Sequence, residues 1–75
     1  MSKEIEYRIV KEIAVLSRNQ KDYTKEINFI AWNNQEPKYD IRNWSPEREK
    51  SLKGISLSVD ETKALYEALK REFEE

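Results

Sequence analysis

The chain predicts an α+β fold in which four strands precede one C-terminal helix, β-β-β-β-α. Three observations carry that prediction. Residues 4–17, 23–33 and 38–44 alternate apolar and polar side chains or run apolar with many β-branched residues. A short apolar triplet, Ile55–Leu57, follows a polar loop. Residues 58–75 open on a capping signature and then repeat apolar residues at helical spacing.

The first strand is expected over residues 4–17, EIEYRIVKEIAVLS. Ile5, Ile9, Ile13 and Leu16 also fit helical spacing, so the strand rests on β-branched density, and Lys11–Glu12 marks a bend or break within it. A polar turn, RNQKD, leads to the second strand, residues 23–33. There Ile27, Phe29 and Ala31 share a face suited to a core. Thr24, Glu26, Asn28, Ile30 and Trp32 share the other. NNQE and Pro37 turn the chain into the third strand, Lys38 to Trp44. A hairpin between these strands brings Trp32 near Lys38. In the final element Ser58 and Glu61 form a capping box, S-V-D-E, and Leu65, Leu69 and Phe73 form the expected buried stripe beside Ala64 and Ala68.

Size and composition narrow the function. Seventy-five residues make one domain, 1–75. A chain this short buries only about 60% of its unfolded surface, so it leans on staples or oligomers. There is no cysteine and no histidine, which removes disulfides, thiolate metal sites and the usual residues of nucleophilic and acid–base catalysis. The carboxylates Glu36, Asp40, Glu47 and Glu49 have nothing that fixes two of them together. No enzyme, metal, cofactor or small-molecule substrate is therefore expected, and oligomerisation remains as the support. Hydrophobic residues are 37% and charged residues 39%, yet eight aromatics argue against disorder. No apolar run approaches a membrane span of roughly 18 to 20 residues. The start, MSKEIEYRIVKE, carries acids where a signal peptide is basic. A soluble, cytoplasmic protein is expected.

The formal net charge is −1. It is unevenly spread. Residues 18–58 hold eight cations against six acids, whereas residues 59–75 hold three against six. The middle of the chain is thus the mildly basic part.

That middle holds the candidate site. In the third strand Tyr39, Ile41 and Asn43 suit a core, while Lys38, Asp40, Arg42 and Trp44 form the opposite row. Cations beside a flat ring are what a sequence-tolerant single-strand binder needs, phosphates meeting the cations and bases stacking on the ring. Trp32 shares this face, and Asn28 shares its parity. Lys25 has the parity of the core residues and stays a candidate because strand ends twist. Asp40 is a surface salt-bridge partner for the neighbouring cations. Arg48 and Lys50 read as a solvated loop. Gly54, the only glycine, marks a bulge or close backbone contact.

The phrase WNNQEPKYDIRNWSPEREKSLKGISLS resembles the DNA-binding core of the transcriptional coactivator positive cofactor four, and more closely its small bacterial relatives of the YdbC type. The likeness spans roughly residues 12 to 70. It implies a curved antiparallel sheet with a C-terminal helix, a homodimer paired through helices and strands, and channels for single-stranded DNA. It also implies base stacking on Trp44 and phosphate contacts from Arg42 and Lys53. Stacking does not exclude a 2′-hydroxyl, so RNA is an admissible ligand. The competing reading is a dimeric protein-interaction module whose tryptophans are buried at a subunit contact and which has no nucleic-acid role.

Overall fold

The computed structural model describes residues 6–74. Four strands, β1 (Tyr7–Arg18), β2 (Thr24–Trp32), β3 (Lys38–Trp44) and β4 (Ser51–Leu57), form one sheet in the order β1-β2-β3-β4. Every neighbouring pair is antiparallel. A 3-10 turn, Pro46–Arg48, lies between β3 and β4, and helix α1 (Val59–Phe73) closes the chain. This is the expected four-strand, one-helix order, but β4 starts at Ser51, four residues back into what reads as a polar loop, because Ser51 and Gly54 pair with β3. Residues 4 and 5 of the expected first strand lie outside the described residues.

β1 explains its own ambiguous pattern. It is continuous through Lys11–Glu12, so that pair marks no break. Its register against β2 slips at three places, between Ile9 and Lys11, Glu12 and Ala14, and Val15 and Ser17. Ile9, Glu12, Val15 and Arg18 stand opposite Ile30, Asn28, Glu26 and Thr24, three residues of β1 for every two of β2. Each β-bulge adds a residue and bends its strand. Val10, Ile13 and Leu16 are the extra residues at the three slips, and their three-residue repeat in an extended strand mimics helical spacing, which is why Ile13 and Leu16 read both ways.

The turns are built from asparagines. The side-chain oxygen of Asn19 accepts from the amides of Lys21 and Tyr23 and closes the β1–β2 hairpin. Asn33 has φ 53° and ties the end of β2 to the start of β1: its amide donates to the Glu6 carbonyl at 2.6 Å, and its side-chain oxygen accepts from the Glu6 amide.

The sheet is curved and does not close. Its fully buried side chains are on the face of Thr24, Glu26, Asn28, Ile30, Asp40 and Trp44. This corrects the core assignment made from the sequence. Of that expected core, Ala31 is buried, but Ile27, Phe29, Tyr39, Ile41 and Asn43 are only half-buried. The reason is curvature: the sheet bends toward the mixed polar and aromatic row, so those side chains cover one another.

The helix cap is as expected. Ser58 Oγ accepts from the Glu61 amide at 3.1 Å, and Glu61 Oε1 accepts from the Ser58 amide at 2.9 Å. The stripe is not buried, which is a second correction. Leu65 is half-buried, Leu69 is exposed, and Phe73 is 79% exposed. Leu65, Tyr66 and Leu69 border a groove of about 320 Å³ that Ile13, Ile27 and Tyr39 line from the sheet. Among the described residues, nothing covers Leu69 and Phe73 at the end of that stripe.

Candidate nucleic-acid interface

Strand pairing gathers an aromatic cluster on the concave face. Tyr7 stands opposite Trp32 on the β1–β2 ladder, and their ring centroids are 5.3 Å apart. Trp44 pairs with Thr24, at the far end of β2 from Trp32. Tyr7 nevertheless reaches Trp44 with a second centroid distance of 5.3 Å. Only a sheet that curls toward this face brings those ends together. The rings meet at 44° and 50°, the tilted geometry aromatic quadrupoles favour.

Arg42 completes the cluster. Its guanidinium carbon lies 4.5 Å from the Trp32 ring centroid, within cation–π range. Its Nε and Nη2 grip the two carboxylate oxygens of Asp40 at 2.7 and 2.8 Å, and Nη1 donates to the Leu52 carbonyl at 2.9 Å. Ser56 Oγ donates to Asp40 as well. Asp40 is 0% exposed, so this is not the surface pair expected from the sequence. A bidentate, two-residue-apart pair on one strand face fixes the plane of the guanidinium against the indole. Two of Arg42's five N–H groups remain for a ligand oxygen.

The tryptophans themselves differ. Trp32 is half-buried, while Trp44 is 0% exposed. Both indole Nε1 atoms are buried and find no acceptor among the described residues. A buried donor left unmade costs about 1–3 kcal/mol.

A second polar network supports the same face. Glu26, 4% exposed, accepts from Thr24 Oγ1 at 2.7 Å, from Asn28 Nδ2 at 3.2 Å and from Arg48 Nε at 2.9 Å. Arg48 also meets Glu12 at 3.1 Å. Asn28 Oδ1 accepts from the Ile13 amide at 3.4 Å, a donor that the β1 bulge leaves off the ladder. Burial pushes the Glu26 carboxyl up, but the hydrogen bonds from Thr24, Asn28 and Arg48 and the charge of Arg48 outweigh it and hold the group below its ordinary value. Arg48 is held above its ordinary value: burial lowers it, and Glu26 and Glu12 more than compensate.

Arg48 was therefore misread as a solvated loop residue. It is half-buried and has φ 55°, in the left-handed region, beside Glu47 at φ 58°. Such backbone costs on the order of 1–3 kcal/mol per residue, offset here by two carboxylates. Its partners lie 22 and 36 residues away in sequence, so no local signal marks it. Tyr7 was missed for the same reason: an N-terminal strand residue meets Trp44 only through curvature.

The remaining candidates separate by face. Lys38 pairs with Ile30 and is exposed on the aromatic face. Lys53 is exposed on β4, but it precedes Gly54, which stands opposite Arg42, and so has the parity of Ile55, opposite Ile41 and away from the aromatic face, contrary to the expectation that it shares the site with Arg42. Lys25 is exposed but stands opposite Asn43, on the other face from Trp32, as its parity requires. Asn28 shares the aromatic face and is buried, spent on the Glu26 network. The structure thus brings Trp32, Trp44, Arg42 and Lys38 to one face and leaves Lys25 and Lys53 on the other.

Comparison with known proteins shows the family of the chain. The family model described as Transcriptional Coactivator p15 (PC4) matches residues 19–68. An uncharacterized protein of Treponema pallidum (strain Nichols) is 36% identical over 63 residues, covering 84% of this chain and 74% of the relative. No described helix is long and apolar enough to cross a membrane. The matched span contains β2, β3, β4 and most of α1, with both tryptophans, Arg42 and the glycine of β4. The chain belongs to the transcriptional coactivator p15 (PC4) family, a nucleic-acid-binding and non-enzymatic family whose members bind single-stranded DNA.

Proposed function

We propose that residues 1–75 act as one cytoplasmic domain that binds single-stranded DNA with little sequence preference, in transcription regulation or DNA maintenance. On the phrase DIRNW…KGISLS we place it with the small bacterial YdbC-type members of its family. The observation that carries the reading is the convergence of Trp32, Trp44 and Arg42 on one concave face. Bases stack on the indoles, Arg42 and Lys38 meet phosphates on that face, and Lys53 reaches a phosphate around the sheet edge that β4 forms. RNA fits the same chemistry.

The working unit is a homodimer. Support comes from the apolar surface one chain leaves open. Ile55, Tyr66, Leu69 and Phe73 are exposed, and the helix has no buried residue. Exposed apolar surface of this kind marks an interaction site.

A second reading has one observation in its favour. Trp44 is fully buried, which suits a dimeric protein-interaction module whose tryptophans serve packing alone. Titration with oligo-dT of about 20 nucleotides separates the two. On the proposed function, tryptophan fluorescence is quenched, duplex competes poorly, and log affinity falls with log salt by about 0.7 per neutralised phosphate. Lys38→Ala and Lys53→Ala each shallow that slope by about the same amount. A folded protein with no response at low salt leaves the protein-interaction module.

A further inference from the structure

We propose that Tyr7 is a displaceable plug of the stacking site, a reading that rests on the single-strand function above. In the free protein its ring lies against both indoles, where a nucleobase would stack. Single-stranded nucleic acid displaces the ring to reach Trp44.

Three observations point this way. The first is a conflict of exposure: Trp44 has no exposed surface, whereas the ring against it, Tyr7, is 38% exposed. Tyr7 is thus the most exposed of the three rings. A base stacks only on an open ring face, so stacking on Trp44 requires the contacting ring to leave.

The second is the pair of unmet donors. Nε1 of Trp44 and Nε1 of Trp32 are buried without an acceptor among the described residues. Buried donors are nearly always paired, and a plug of tyrosine leaves these two unmatched. A nucleotide carries acceptors on its base edge and phosphate and can answer them.

The third is attachment. Tyr7 begins β1, an edge strand. The neighbouring chain is tied to the sheet by the two Glu6–Asn33 backbone and side-chain bonds, at 2.6 and 3.2 Å. Swinging one side chain away leaves these bonds and the rest of the ladder in place. Tyr7 is also ring-shaped, flat and carries one hydroxyl, so it imitates the stacking surface of a base.

A plug lowers apparent affinity by the fraction of molecules in which the site is open. Removing it raises affinity by the same factor. An aromatic pair's worth of interaction corresponds to about two- to tenfold.

The test uses the whole chain with Tyr7→Ala, Tyr7→Leu and Tyr7→Phe, each checked for fold by circular dichroism. Acrylamide quenching of the free proteins and oligo-dT affinity are both measured. The plug predicts that Tyr7→Ala exposes indole to acrylamide and tightens oligo-dT binding about two- to tenfold, while Tyr7→Phe behaves as wild type. Tyr7→Leu removes the flat ring but keeps an apolar side chain, and carries the same expectation if Tyr7→Ala does not fold. Weaker or unchanged binding by the folded variants, with wild type still binding, overturns the plug alone. Weaker binding makes Tyr7 a third stacking ring. No binding by wild type or any variant overturns the single-strand function with it.

Discussion

Gly54 faces Arg42 across the β3–β4 ladder with no room for a side chain between them. A Cβ at Gly54 would collide with Cβ of Arg42 and sit 2.6 Å from the Ile41 carbonyl oxygen and 2.7 Å from Arg42 Cα. Two of these atoms are backbone and cannot rotate aside. Gly54→Ala therefore pushes β4 off β3 at the point where Leu52 holds Arg42. Overpacking of this kind costs about 1–3 kcal/mol, or roughly 4–8 °C of melting temperature per kcal/mol in a domain this small. A thermal melt followed by circular dichroism checks it; a melting temperature equal to wild type would mean the strands separate there without cost.

The two tryptophans respond differently to truncation. Trp44 is fully buried, so Trp44→Ala leaves a large cavity and loses about 3–5 kcal/mol, enough to unfold much of a small domain. Trp32 is half-buried near the end of a strand. Trp32→Ala keeps the fold and weakens oligo-dT binding by about 1–3 kcal/mol. Urea denaturation beside fluorescence titration separates the effects. Equal stability losses in the two variants would contradict the difference in burial.

Glu26 makes stability depend on acid. Its folded-state carboxyl is held below its ordinary value of 4.5. The contribution is thus present above that value and disappears as pH falls through the lower folded value. Arg48 is held above its ordinary value by Glu26 and Glu12, so it stays charged and its contribution persists throughout the working range. Glu26→Gln is expected to be less stable at neutral pH and to flatten the acid limb, so its urea midpoint approaches wild type as pH drops from about 5 toward 3. Parallel curves for the two proteins would show that another group carries the acid sensitivity.

The uncovered helix stripe predicts self-association. Leu69 and Phe73 are exposed, at 46% and 79%, and Leu69 borders the groove lined by Ile27 and Tyr39. Leu69→Glu and Phe73→Glu are expected to shift the protein toward monomer in sedimentation velocity. Loss of the mutual cover would also lower stability as the protein is diluted, since an obligate dimer's stability depends on protomer concentration. A wild-type protein that sediments as a monomer at every concentration would refute the dimer.

Local patterns wrote the element order. Period-2 alternation and β-branched density placed β2 and β3 within a residue of their observed bounds. The capping box at Ser58 and Glu61 placed α1 because its two hydrogen bonds are made within four residues. The family phrase from Trp32 to Ser58 likewise lay in contiguous sequence. So did the shared parity of Lys38, Arg42 and Trp44, which a strand imposes whatever surrounds it.

Curvature decided the rest. Alternation says which side chains share a face but not toward which face the sheet bends. The three bulges of β1 bend it toward Glu26, Asn28, Asp40 and Trp44, and so the polar row is buried and the apolar row is left half-covered. Contacts made across that bend have no short-range signature: Tyr7 against Trp44, Arg48 between Glu26 and Glu12, Asn28 on the loose Ile13 amide. The sequence alone determined the element order, the helix cap and which residues of β2 and β3 share a face. Only the tertiary structure decided which of those residues are open to a ligand, because exposure depends on how distant strands curl together.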